Sequence, residues 1–166
     1  MKESGNGGRT AMFDASPYLK LFIDKDGKWF QNGVEIIHKE IYLQFNHMLE
    51  KDPDGGYRVR LGREVCRVEV EDAPFVVLGV FEDAASGIVL SLNDGTKEVL
   101  DPNSFWIGQE NVPYSYVKDR AFHARFSRPA YYQLARYIVA EDDKEFFLAI
   151  SGERIRIRTE SKEKED

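Results

Sequence analysis

Between residues 38 and 50 the apolar positions Ile41, Tyr42, Phe45, Met48 and Leu49 recur at three- and four-residue spacing, which predicts a helix with one buried stripe. Asp52-Pro53-Asp54-Gly55-Gly56 must end it, because proline cannot continue a helix and glycine admits left-handed backbone. Residues 57–61 then alternate apolar with basic, and Cys66, Val68 and Val70 resume that alternation after Gly62-Arg63, so two antiparallel strands are expected. The same succession returns 89 positions later without a gap. Lys39 falls on Arg128, Tyr42 on Tyr131, Gln44 on Gln133, Asp54 on Asp143, Glu64 on Glu153 and Arg67 on Arg156. Most remaining apolar positions coincide as well, predicting one supersecondary unit, residues 37–69, used twice, with the second helix over residues 128–140.

The flanking segments read as strands. Asp26-Gly27 and Asn32-Gly33 are turn signals around a short aromatic strand near Trp29 and Phe30, and residues 76–81 form a branched apolar run suited to a central strand. Asn93-Asp94-Gly95 separates two further strands, residues 87–92 and 96–100. Residues 105–107, 114–117 and 121–126 predict three more, and Ser127 is placed to cap the second helix, where Pro129 is tolerated in the first turn. Residues 1–16 show no periodicity and 160–166 carry charge without apolar content, so both ends are expected to be disordered.

Composition narrows the classes. A chain of 166 residues, 42% hydrophobic and 31% charged, can bury a core, and no stretch of it approaches the length of a transmembrane helix. The formal charge of −6 argues against binding nucleic acid or anionic membranes by bulk electrostatics. The one cysteine, Cys66, admits no internal disulfide, and no secretory leader follows Met1-Lys2, so a cytoplasmic location is expected.

Motifs for nucleophilic serine, zinc-protease, P-loop or dinucleotide chemistry are absent, and the three histidines are too scattered for a helical metal pair, so neither metal nor cofactor is expected. The most informative oddity is electrostatic. Lys39 and Arg128 occupy equivalent places in the first turns of the two predicted helices, where the helix end already carries partial positive charge. An anion bound nearby would explain them, with Arg125 adding charge in the second copy; side chains that simply extend into water are the plainer account. Glu71 and Asp72, ahead of Pro74, could act as acid and base or could orient the crossover between lobes. Trp29, Phe30, Phe105, Trp106 and Tyr132 could line a pocket for a flat ring, with burial in the core as the simpler role. Arg154, Arg156 and Arg158 alternate with Ile155 and Ile157, as on a solvated strand face.

Several segments resemble a known family. Asp26-Gly27-Lys28-Trp29 with Gly33 and Ile36, Val68-Glu69-Val70-Glu71-Asp72-Ala73-Pro74-Phe75, Pro113-Tyr114 and Arg128-Pro129-Ala130-Tyr131-Tyr132 are similar to the bacterial family called domain of unknown function 1285. The resemblance runs from about Tyr18 to Arg158, departing from the family at His38 and Glu35. It implies a duplicated α+β architecture, a C-terminal lobe like a pleckstrin-homology barrel, and a ligand site between lobes for a nucleotide-like molecule in signal transduction. Lys39, Arg125, Arg128, Glu71 and Asp72 are the residues it transfers.

The sequence thus predicts an α+β fold of antiparallel sheets and helix-plus-hairpin units, with an N-terminal lobe over residues 17–72 and a C-terminal lobe over 73–159. The expected function is non-enzymatic binding of a small, nucleotide-like anion, with Lys39, Arg125, Arg128, Glu71, Asp72 and Tyr132 as the site. A protein-interaction adaptor is the second reading and a hydrolase using Glu71 and Asp72 the third.

Overall fold

The computed structural model describes residues 19–160, so the expectations for residues 1–16 and 161–166 lie outside the described residues. The chain divides into two compact units, the first holding the described residues 19–24 and 28–71, the second 25–27 and 72–160.

Among the described residues, unit 1 has a six-stranded sheet and one helix. Its strands are β1 (Leu21–Ile23), β2 (Trp29–Gln31), β3 (Val34–Glu35), β4 (Leu49–Lys51), β5 (Tyr57–Leu61) and β6 (Glu64–Val70), in the order β3-β2-β1-β6-β5-β4. Helix α1 (Lys39–Met48) joins β3 to β4. Leu21, Ile23, Phe45, Leu49, Val59, Cys66 and Val68 form the core, as the alternation and the helical stripe require. At its centre the buried Trp29 donates from Nε1 to Asn46 Oδ1 at 2.7 Å, while Asn46 Nδ2 has no hydrogen-bond partner.

Unit 2 carries β7 (Phe75–Asp83), β8 (Gly87–Leu92), β9 (Lys97–Val99), β10 (Phe105–Ile107), β11 (Pro113–Val117), β12 (Phe122–Phe126), helix α2 (Arg128–Ala135), β13 (Ile138–Ala140), β14 (Phe146–Ile150), β15 (Glu153–Arg156) and β16 (Arg158–Thr159). Seven strands form one sheet, β16-β10-β11-β12-β7-β8-β9, and three form another, β13-β14-β15. The apolar run became β7, central as expected, with a bulge between Val77 and Gly79. Helix α2 lies against it, burying Ala130 and Leu134, and Gln133 Oε1 accepts the bulge-side N–H of Val80 at 2.7 Å. Ser127 caps the helix as expected, its hydroxyl accepting from Ala130 N–H at 3.3 Å. Gly27 has φ +80°, and a Cβ there would fall 2.5 Å from Asn93 Nδ2, so only glycine fits that turn.

Two expectations are corrected. Both helices stop short, α1 at Met48 and α2 at Ala135, because the residues read as their last turns pair as strands: Leu49↔Val59 and Ile138↔Leu148. A short apolar run satisfies either period, and a ladder to the following hairpin decides it. The sheets are also mixed rather than antiparallel throughout, since β1 with β6, β10 with β16, and β12 with β7 run parallel.

The two units share pairing registers. At the offset of 89, Glu50↔Arg58 answers to Val139↔Phe147, Val59↔Cys66 to Leu148↔Ile155, and Leu61↔Glu64 to Ile150↔Glu153. At an offset of 84, Phe22↔Phe30 answers to Trp106↔Tyr114. The parallel closure matches too: Phe22↔Glu69 in unit 1, Trp106↔Arg158 in unit 2.

Candidate functional site

The site stands on the outward face of β10, β11, β12 and β16. Alternation along these strands turns Phe105, Ser115, Val117, Ala124 and Phe126 inward, which puts Tyr114, Tyr116, His123 and Arg125 on the opposite face around Trp106, itself buried at 8% exposure. Register aligns Arg158, Trp106, Tyr114 and Arg125 in one row across four strands, with Tyr116 opposite His123 in the next. The Trp106 and Tyr114 rings stack at 5.3 Å with 20° between their planes, and the Arg158 guanidinium lies 5.2 Å from the Trp106 ring centre. His123 sits 6.2 Å from Trp106 and 6.1 Å from Tyr114. Gly108 makes room for this: a Cβ there would lie 2.7 Å from Tyr114 Cε2.

Asp72, at the start of unit 2, closes one end of the row. Its Oδ2 receives Arg125 Nη1 at 2.8 Å, and the Tyr114 hydroxyl donates to Oδ1 at 2.9 Å and Oδ2 at 2.8 Å. One hydroxyl hydrogen shared by two oxygens and one guanidinium N–H fill about half of the roughly four lone-pair positions of a carboxylate, so Asp72 retains acceptor capacity. Burial, then the hydrogen bond to Asp72, push the Tyr114 phenol up to about 12, so it remains a donor across the neutral range. Asp72, Trp106, Gln109, Tyr114, His123 and Glu160 line a hollow of about 310 Å³, at the lower end of the range for small-molecule pockets.

Of the residues expected from sequence, Asp72 and Arg125 meet here, as an ion pair. Arg128 and Tyr132 lie on the exposed side of α2, where Tyr132 is 65% exposed and its ring stacks on Tyr131 at 6.5 Å. Lys39 is exposed at the start of α1 in unit 1, and Glu71 closes that unit with its N–H donated to Ile23 O. Gln109, Tyr114, His123 and Glu160 were not read from the sequence as site residues. The signal that could have found most of them is the period-two placement of Tyr114 with Tyr116 and of His123 with Arg125 on the two arms of one hairpin; nothing local announces Asp72 or Glu160 beside them.

Chemically the hollow offers aromatic walls and carboxylate acceptors. Arg125, the cation nearest Asp72, is committed to that carboxylate. Among the described residues no group of three or more His, Cys, Asp or Glu could hold a metal ion, and no helix is long and apolar enough to cross a membrane.

No family model matches the chain, and no curated protein does. Two solved structures do. A DUF1285 family protein from Silicibacter pomeroyi DSS-3 is 23% identical with a TM-score of 0.71, over 85% of this chain and 80% of that one. A DUF1285 family protein from Shewanella baltica OS155 is 21% identical with a TM-score of 0.61, over 73% and 94%. The chain has the fold of these two DUF1285 family proteins.

Proposed function

We propose that the chain is a non-enzymatic binding module that takes a small nucleotide-like ligand, with the ring end of the ligand in the Trp106 hollow of unit 2. The observation that carries this reading is the stacked Trp106–Tyr114 pair beside an Asp72 carboxylate held in place by Arg125 and Tyr114. A flat ring lies against aromatic walls at little entropic cost, and carboxylates select rings that present N–H donors. Guanine is the best match among nucleobases, because its amino group and adjacent ring N–H can both face one carboxylate. Asp72 and Glu160 supply acceptors, and His123 can donate or accept.

The matched registers of the two units support reading the fold as a duplicated strand-helix-hairpin element, with β7, β8 and β9 as an addition to the second copy. On that reading only the second copy acquired the ring site. A role in signal transduction rests on the family resemblance alone.

Thermal denaturation of the full chain with purine and pyrimidine nucleosides tests the binding reading, since a ligand that binds only the folded form raises the melting temperature. Guanosine should raise it and Asp72→Ala should remove that rise. A rise retained in Asp72→Ala, or none with any nucleoside, rejects the site.

A further inference from the structure

Resting on that reading, we infer that the ligand's phosphate is held by Lys144, Arg156 and Arg158, and not by the helix-end cations Lys39 and Arg128. A second hollow, of about 330 Å³, is lined by Lys144, Arg156, Ile157, Arg158 and Thr159. It exists because the last strand is interrupted. Strand β15 ends at Arg156 and β16 begins at Arg158, while Ile157 between them is buried and donates its N–H to Phe146 O at 2.8 Å. The two arginines flanking that inward residue are left exposed. The tight turn between β13 and β14, fixed by Asp142 Oδ1 accepting from the N–H groups of Lys144 and Glu145 at 2.8 Å each, sets Lys144 beside them.

Charge at this hollow is unbalanced. Glu145 offsets Arg156 through a 3.0 Å contact, which leaves Lys144, Arg158 and the remaining Arg156 donors to meet an oxyanion. Arg158 is shared with the ring site, because its guanidinium lies over Trp106. A guanidinium held over a ring still has N–H donors in its own plane, where an oxyanion can receive them. The segment 158–160 thus connects the two hollows, Arg158 and Thr159 lining one and Glu160 the other. A nucleoside monophosphate has this order of chemistry: a donor-rich ring, a neutral sugar, then a dianion.

Unit 1 shows that the basic cluster is not a by-product of the frame. At the offset of 89, Lys144, Arg156 and Arg158 answer to Gly55, Arg67 and Glu69, and Arg67 pairs with Asp54 at 3.0 Å. The equivalent place there has no excess positive charge.

Calorimetric titration of the full chain at low salt, with inorganic phosphate, guanosine and guanosine 5′-monophosphate, tests this. The monophosphate should bind at least about tenfold more tightly than guanosine, equivalent to about 1.4 kcal/mol. The double variant Lys144→Gln, Arg156→Gln, changed only at exposed or rim positions, should lose that gain and keep the guanosine affinity. Equal affinities in the unaltered protein, or a gain retained in the variant, overturn the phosphate subsite and leave the ring reading intact. Phosphate binding that depends on Lys144 and Arg156, with no response to guanosine, supports the subsite and overturns the ring reading. No binding of any probe overturns both.

Discussion

The same cross-strand row exists in both units with opposite chemistry. In unit 1 register aligns Glu69, Phe22, Phe30 and Glu35; in unit 2 it aligns Arg158, Trp106, Tyr114 and Arg125. An aromatic pair occupies the middle of each, Phe22 and Phe30 at 5.9 Å and tilted, Trp106 and Tyr114 at 5.3 Å and stacked. The ends are acidic in one and basic in the other. Backbone pairing therefore does not dictate a site: the frame supplies four facing positions, and side chains decide what they recognise. The cores differ in the reverse sense. Unit 1 holds its centre with a buried Trp29–Asn46 hydrogen bond, where unit 2 has Pro113 and Ala135 at the matching offsets and needs no polar lock.

Breaking that polar lock should have the largest effect. Trp29→Ala removes a fully buried indole and leaves both polar atoms of the Asn46 side chain unpaired, costing about 3–5 kcal/mol, read as a lower urea midpoint. A loss below about 1 kcal/mol would mean that Trp29 is not the centre of its core.

Next comes the proposed ring site of unit 2. Asp72→Ala unpairs Arg125, but both side chains are about a quarter exposed, so stability should fall by only about 1 kcal/mol while guanosine affinity falls about tenfold or more. Equal loss of both in calorimetry and denaturation would make Asp72 merely structural. Gly108→Ala should follow, because its Cβ displaces the Tyr114 ring; a several-fold loss of affinity with little change in melting temperature is expected.

The Tyr114 phenol sharpens the contrast through pH. Its folded value is raised, so the stability linked to its proton is complete below the unfolded value near 10 and is lost as pH climbs through about 12. Absorbance titration should show a phenolate transition near about 12 that Tyr114→Phe removes; a transition of Tyr114 near 10 would deny its burial and its bond to Asp72. The smallest effect is expected in unit 1. Glu35→Arg with Glu69→Arg recreates the basic ends at exposed positions but supplies no counterpart of Asp72, so stability should stay within about 0.5 kcal/mol and guanosine affinity should not rise. A new binding event would show that the row alone suffices.

Much of this frame was legible in the sequence because its signals are local. Helical spacing from Ile41 to Met48, the Asp52-Pro53-Asp54-Gly55-Gly56 stop and the strand alternation after it all act within a few residues, and their recurrence at 89 placed the second set. The parallel pairings β1 with β6 and β10 with β16 were not legible, since they join residues some 50 positions apart through no turn signal. The site was legible only in parts. Trp106 was singled out as a ring, Arg125 and Asp72 as charges, and Arg156 and Arg158 as a strip, but what unites them is register across four strands and the break at Ile157. One local field pointed to Lys39 and Arg128; the hollow lined by Lys144, Arg156 and Arg158 comes from strand pairing that no local signal announces.

The most direct test of the ring site uses the protein's own reporter. The chain has two tryptophans, so Trp29→Phe leaves Trp106 as the sole indole. Titrating that variant with guanosine should quench its fluorescence saturably, and the quench should vanish when Asp72→Ala is added. A fluorescence signal that does not saturate, or that saturates equally without the Asp72 carboxylate, would contradict ring binding at Trp106.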